Sequence, residues 1–254
     1  MRLIKALFIS FSMYSRIPMP QFEWKEEDMK YSLCFFPWIG AIIGGLVYLW
    51  GWLCSVHGIG RLCYTVIDAV VPLFITGGLH VDGFMDTMDA FHSFQLRDKK
   101  LEIMKDPHIG AFSVIMLVTY GLIYFGALSE INDLSLLKIF CLGFFLSRCL
   151  SGISVVSFPS AKNNGLLYTF ADSANKRIVK GVLYLQVFIC IGLMMLQSLS
   201  AGCIMAAVAF CTFAYYYFRC KKELDGITGD TAGYFVVICE GSMAVTAAIF
   251  NMLM

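Results

Sequence analysis

The sequence predicts an all-α, polytopic integral membrane helix bundle of about seven transmembrane helices, with a cytoplasmic N-terminus. Three observations carry that reading. Hydrophobic residues fill 59% of the 254 positions and charged residues only 15%, against about 45–50% and about 25% in soluble domains, and the mean hydropathy is +0.74. Uncharged stretches recur at the roughly 17–25 residues that a bilayer crossing needs. Basic residues collect in alternate loops, as the positive-inside rule expects.

Taken in order, the opening MRLIKALFISFSMYSRIP has too short an apolar run and too many basic residues to span, and it lacks a small-residue cleavage site. Residues about 1–30 therefore read as an interfacial segment of one integral membrane domain, 1–254. Leu33–Val56 is the first predicted span, and Leu62–Leu79, interrupted by Asp68, the second. Ile109–Ser129 follows, then Ile139–Phe158 with Arg148 inside it. The uncharged run Gly181–Phe218 is too long for one helix, so the polar patch Gln197–Ser200 divides it into two spans. Thr231–Met254, containing Glu240, is the last. With the N-terminus inside, the loops at 80–108, 159–180 and 219–230 face the cytoplasm with Arg97, Lys105, Lys162, Lys176 and Arg219, while Arg61 and Lys138 remain outside.

The net charge of +1 says nothing about nucleic acid, no basic tract suggests it, and none is expected as a partner. The ten cysteines contain no CxxC pair and most, such as Cys141, Cys190 and Cys203, lie in apolar runs, where thiols pack as small apolar groups.

The polar constellations gather at one predicted boundary. In GGLHVDGFMDTMDAF (77–91), Asp82, Asp86 and Asp89 fall at i, i+4 and i+7, one stripe of a helix. Three adjacent carboxylates repel one another and call for a counter-charge. Glu102, Lys105 and Asp106 precede the third span, and Asp225 and Asp230 precede the last. Asp82-Gly83-x-x-Asp86-Thr87 also echoes Asp225-Gly226-x-x-x-Asp230-Thr231, a short repeat that would set two acidic segments around one site, or a coincidence of a short motif. Clustered oxygen donors suit Mg²⁺ or Mn²⁺ rather than zinc, and Mg²⁺ sits on one or two carboxylates plus substrate phosphates. A diphosphate or phosphoryl substrate follows, with Lys105, Arg148 and Arg16 as phosphate-holding cations. Arg148 also reads as a structural partner for Glu240 or Asp68, and Asp68 itself as structural or unassigned. Glu240 lies roughly 15 Å along a helix from Asp230 and either reaches the site or bonds a neighbouring helix. His80 and His92 flank the acid stripe, as a general base or as polar interfacial residues. Asn163 and Asn164, in SFPSAKNNG, are substrate-contact candidates. No glycine motif forms a P-loop or dinucleotide fingerprint.

These motifs carry a resemblance. GGLHVDGFMDTMDAF, EIMKDPHIGAF (102–112) and DGITGDTAG (225–233) with a glutamate downstream, together with SRIPMP (15–20) and FFPWIGAIIG (35–44), resemble the cobalamin synthase family, also called adenosylcobinamide-GDP ribazoletransferases. Ala90 departs from a common glycine, and Pro107-His108 from a common Ser-Arg pair, which removes an arginine from the rim. The resemblance implies a Mg²⁺-dependent phosphotransferase of late cobalamin biosynthesis. It joins adenosylcobinamide-GDP to α-ribazole, or its 5′-phosphate, and releases GMP. It further implies Asp82, Asp86 and Asp89 on the metal, with Asp106, Asp230 and Glu240 as additional ligands. Asp225 or Asp230 completes the shell or takes a proton, and Lys105 acts on the phosphates. Arg16, Arg148, Asn163, Asn164, His80 and Glu102 contact substrate. The expected place is the cell inner membrane, multi-pass, with the site facing the cytoplasm, and oligomers or complexes with other pathway enzymes stay open. Two other classes compete: a transferase of CDP-activated alcohols, whose DG-x-x-AR signature is incomplete here, and an ion or solute transporter using Asp68, Arg148 and Glu240.

Overall fold

The computed structural model describes residues 2–162 and 166–253. Among them the order of elements is α1 Arg2–Tyr14, α2 Glu26–Met29, a 3₁₀ turn Ser32–Cys34, α3 Phe36–His57, α4 Arg61–Thr76, α5 Leu79–His92, α6 Arg97–Ile103, α7 Ala111–Glu130, α8 Leu134–Ser157, α9 Leu166–Ser173, α10 Lys176–Gln197, α11 Leu199–Leu224 and α12 Gly229–Leu253. Six of these are long and apolar enough to cross a membrane: α3, α7, α8, α10, α11 and α12. Counting α4 and α5 as one bent span gives up to seven.

The all-α, multi-span expectation therefore stands, with shifted ends. Helix α8 starts at Leu134, not at 139, and α10 and α11 run out through Lys176 and Lys221–Lys222. A boundary drawn at the first charge stops too early, because backbone hydrogen bonding continues while lysine stems lie along apolar surface and keep their ammonium groups in water.

Helix α8 is the hub, buried along most of its length. Its antiparallel neighbour α3 meets it through Gly40 and Gly44, where an added Cβ would collide with the carbonyl oxygens of Phe144 and Cys141. Small residues four apart let two helix backbones approach closely, which in lipid replaces the hydrophobic drive for association. On another side α12 packs with Met243 against Gly143 of α8 and receives the Tyr120 hydroxyl of α7 on the Val237 carbonyl at 3.0 Å.

Helices α4 and α5 meet at 93°. Gly77 (φ 66°) and Gly78 (φ 80°) make the corner in the left-handed region, where a side chain is strained. The Arg16 side chain lies directly over Gly77, and its backbone N–H bonds the Ile75 carbonyl at 2.7 Å. The corner turns α5 across one end of the bundle. The N-termini of α7, α10 and α12 and the C-termini of α8 and α11 reach that same end.

Candidate functional site

Helix α5 carries Asp82, Asp86 and Asp89 on one face, as the i, i+4, i+7 spacing requires. Helix α12 brings the fourth acid. Gly83 sits so close to it that an added Cβ would lie 2.6 Å from the Asp230 carbonyl oxygen. Asp86 consequently feels the negative charges of Asp82, Asp230 and Asp89. Asp89 turns toward Gly110, just before α7, where helix-terminal N–H groups favour an anion. Replacing Gly83 with alanine must push α5 off α12. We expect Gly83→Ala to lower turnover about 100-fold, since misplacements of about 1 Å carry that effect, while the far-ultraviolet circular dichroism stays that of a helical protein.

Asp230 is fixed by reciprocal capping. The Thr231 hydroxyl accepts the Thr228 N–H at 2.8 Å and the Thr228 hydroxyl accepts the Thr231 N–H at 3.2 Å. Thr228 also donates its hydroxyl to Asp230 Oδ2 at 3.4 Å. The segment before α12 is tied to the segment after α8 by a parallel bridge: Ala161 N–H to Ile227 O at 2.8 Å and Ile227 N–H to Pro159 O at 2.9 Å. Arg97 of α6 staples both, donating from Nε to Leu224 O and from Nη2 to Ala161 O, each at 2.8 Å. This linkage carries Lys162 to the acids. Burial holds Lys162 below the usual lysine range, opposed by the charge of Asp230 and reinforced by that of Lys105.

Two clefts meet at Asp82. The more enclosed one, about 280 Å³, lies between α1, α5, α8 and α12 and is lined by Tyr14, Phe36, His80, Lys162, Tyr168 and Asp230 among others. The open groove, about 850 Å³, runs between α1 and the α4–α5 corner past Arg16, Leu73, Phe74 and Met85. Asp82, Met13 and Leu79 border both. His80 is buried, its ring edge-on to Phe36 at 5.7 Å, with Nε2 lacking a hydrogen-bond partner among the described residues.

Other sequence candidates lie in different settings. Arg148 donates from Nη1 to Glu240 Oε1 at 2.6 Å deep between α8 and α12, and Ser147 donates to the same oxygen at 3.0 Å. The guanidinium is thus occupied within the bundle, matching the structural-partner alternative for Arg148. Asp68 faces Tyr64 and Arg61 instead, so Asp68, Arg148 and Glu240 do not line one charged path. Asp225 is exposed, ion-paired with Lys221, and held below the usual carboxylate range by that hydrogen bond. Asp106, also exposed, is lowered by the backbone and side-chain hydrogen bonds of His108. Glu102 pairs with Lys99 at 2.8 Å on the surface, and Lys105 is exposed near Lys162. Asn163 and Asn164 lie outside the described residues. Lys162 and Arg97 were not singled out for the site from sequence: both appeared only as positive loop charges, although Lys162 is the neighbour of the two asparagines.

Among the described residues no three His, Cys, Asp or Glu side chains form a ready-made metal cage. The donor set still fits Mg²⁺, a cation that takes one or two carboxylates and completes its shell with water and substrate phosphate. Asp82, Asp86 and Asp230 supply hard oxygens in mutual electrostatic contact.

Fold and site together define a multi-pass helical membrane protein with a cluster of carboxylates beside two clefts at one end of its bundle. Residues 6–248 match the family described as cobalamin-5-phosphate synthase, and the chain belongs to that family. It is 41% identical to a Lachnoclostridium phytofermentans protein named adenosylcobinamide-GDP ribazoletransferase, over 94% of this chain and 92% of that one. Proteins of the same name from Clostridium perfringens (32% identical, 93% and 94% covered) and Treponema denticola (31%, 98% and 99%) are similar along the whole length. No solved structure matches the chain.

Proposed function

We infer that this chain is a transferase joining adenosylcobinamide-GDP to α-ribazole, or to its 5′-phosphate, by phosphoryl transfer at Asp82. The carrying observation is the junction of the two clefts on that carboxylate, with Asp230 and Lys162 beside it. A ribose hydroxyl attacks the phosphorus attached to cobinamide. The new P–O bond forms as the bridging P–O bond breaks, GMP departs with the bond's electrons, and the hydroxyl proton passes to a carboxylate. Asp230 lines the cleft whereas Asp225 is paired with Lys221, so Asp230 is the better placed to take it. Asp82 and Asp86 would hold Mg²⁺, which when bound neutralises diphosphate charge. The open groove, with Leu73 and Phe74 exposed along it, suits the bulky corrinoid half of the donor.

The basic loops at the site end support an inner-membrane protein whose site faces the cytoplasm. Exposed Leu3 and Ile4 on α1 support an interfacial N-terminal helix in a single membrane domain. Purified protein in detergent is expected to release GMP from the two substrates with a cobalamin product, to stop when EDTA removes divalent cations, and to resume on adding Mg²⁺. Turnover that continues unchanged in EDTA would rule out the metal role, and a folded, Mg²⁺-replete protein that forms no GMP would rule out the transferase reading.

A further inference from the structure

The enclosed cleft has room for about one nucleotide and far too little for a corrinoid. Its inner walls are aromatic: Phe36 is buried with the Tyr14 ring 4.5 Å from its own, and Tyr168 of α9 stands partly exposed at the rim. Its polar groups are few and placed. His80, Ser151 and Thr228 border the space. At the acidic end stands Lys162, the lysine among the lining residues, with Lys105 adding positive charge nearby. Aromatic faces for a planar base, a few hydroxyls for the sugar and an ammonium at one end make up the recognition pattern of a phosphorylated nucleoside.

We propose that the enclosed cleft is a nucleoside 5′-monophosphate subsite in which Lys162 holds the phosphate and Tyr168 covers the base. The reaction assigned to the site rests on the transferase reading above; the subsite rests on the cleft itself. Two sources carry this chemistry: the guanylate half of the donor, which leaves as GMP, and an acceptor that arrives as α-ribazole 5′-phosphate. Lys162 sets the choice between acceptors in the second case and eases departure of GMP in the first.

The test is calorimetric binding of GMP, α-ribazole and α-ribazole 5′-phosphate to the full chain in detergent, alongside GMP release, for wild type, Lys162→Gln, Lys162→Arg and Tyr168→Ala. Loss of a charge-assisted bond is expected to weaken the phosphorylated ligand about 10- to 100-fold in Lys162→Gln, with Lys162→Arg recovering most of it. Weakening confined to α-ribazole 5′-phosphate, with α-ribazole unaffected, assigns the cleft to the acceptor. Weakening confined to GMP, with a fall in kcat for both acceptors, assigns it to the leaving guanylate. Tyr168→Ala is expected to weaken the cleft's ligand with or without its phosphate. Unchanged binding of every ligand in Lys162→Gln and Tyr168→Ala overturns the proposal. A wild type that binds a nucleotide through Lys162 yet releases no GMP leaves the subsite standing and removes the transferase reading.

Discussion

Asp82→Asn is expected to abolish nearly all turnover, with GMP release falling at least about 100- to 1,000-fold, while the protein remains monodisperse and helical. Asp82 borders both clefts and is exposed to them, so the near-isosteric amide removes a charge without opening a cavity. The carboxylates around it already repel one another, and removing one charge relieves the fold rather than straining it. Stability and activity should therefore separate: an unchanged or raised thermal transition beside a collapsed rate. Near-normal GMP release from a folded Asp82→Asn protein would take this residue out of the chemistry.

The opposite separation is expected at Arg148 and Glu240. Removing one member of a buried ion pair leaves an uncompensated charge, at a cost of about 3–5 kcal/mol. The side chains here are only 1% and 9% exposed. Glu240→Ala or Arg148→Ala should thus lower the thermal transition strongly in detergent. The double replacement by methionine should recover much of the loss, because a well-packed apolar pair is often as stable as a buried ionic one. Glu240→Gln that keeps its stability but demands more Mg²⁺ would instead make Glu240 a metal ligand.

Much of the architecture was legible in the chain because lipid imposes a one-dimensional code: span length, uncharged runs and loop charge. The turn at Gln197–Ser200 was visible for the same reason, and α10 ends at Gln197 with α11 starting at Leu199. The acid stripe of α5 was legible from helical periodicity alone. The meeting of Asp82 with Asp230 was half legible through the echoed Asp-Gly segments, although the same echo pointed equally at Asp225, which faces Lys221. Lys162 was hidden. Its place in the cleft depends on Ala161 bonding Ile227, a pairing across 66 positions that leaves no local pattern. Arg97 was hidden likewise, since its two acceptors are main-chain carbonyls at Leu224 and Ala161, which any residue supplies. The 93° corner at Gly77–Gly78 was hidden inside the predicted span Leu62–Leu79, because the Arg16 side chain over Gly77 and the α12 backbone beside Gly83 come from distant positions.

That corner has a consequence for the bilayer itself. Helix α4 has 16 residues, so it rises about 24 Å, short of the hydrocarbon thickness of about 30 Å. The lipid beside it must thin, or headgroups and water must follow the chain inward to where α5 begins. Either adjustment makes a dimple at the corner, with Leu73 and Phe74 on its oily flank and Asp82 at its wet floor.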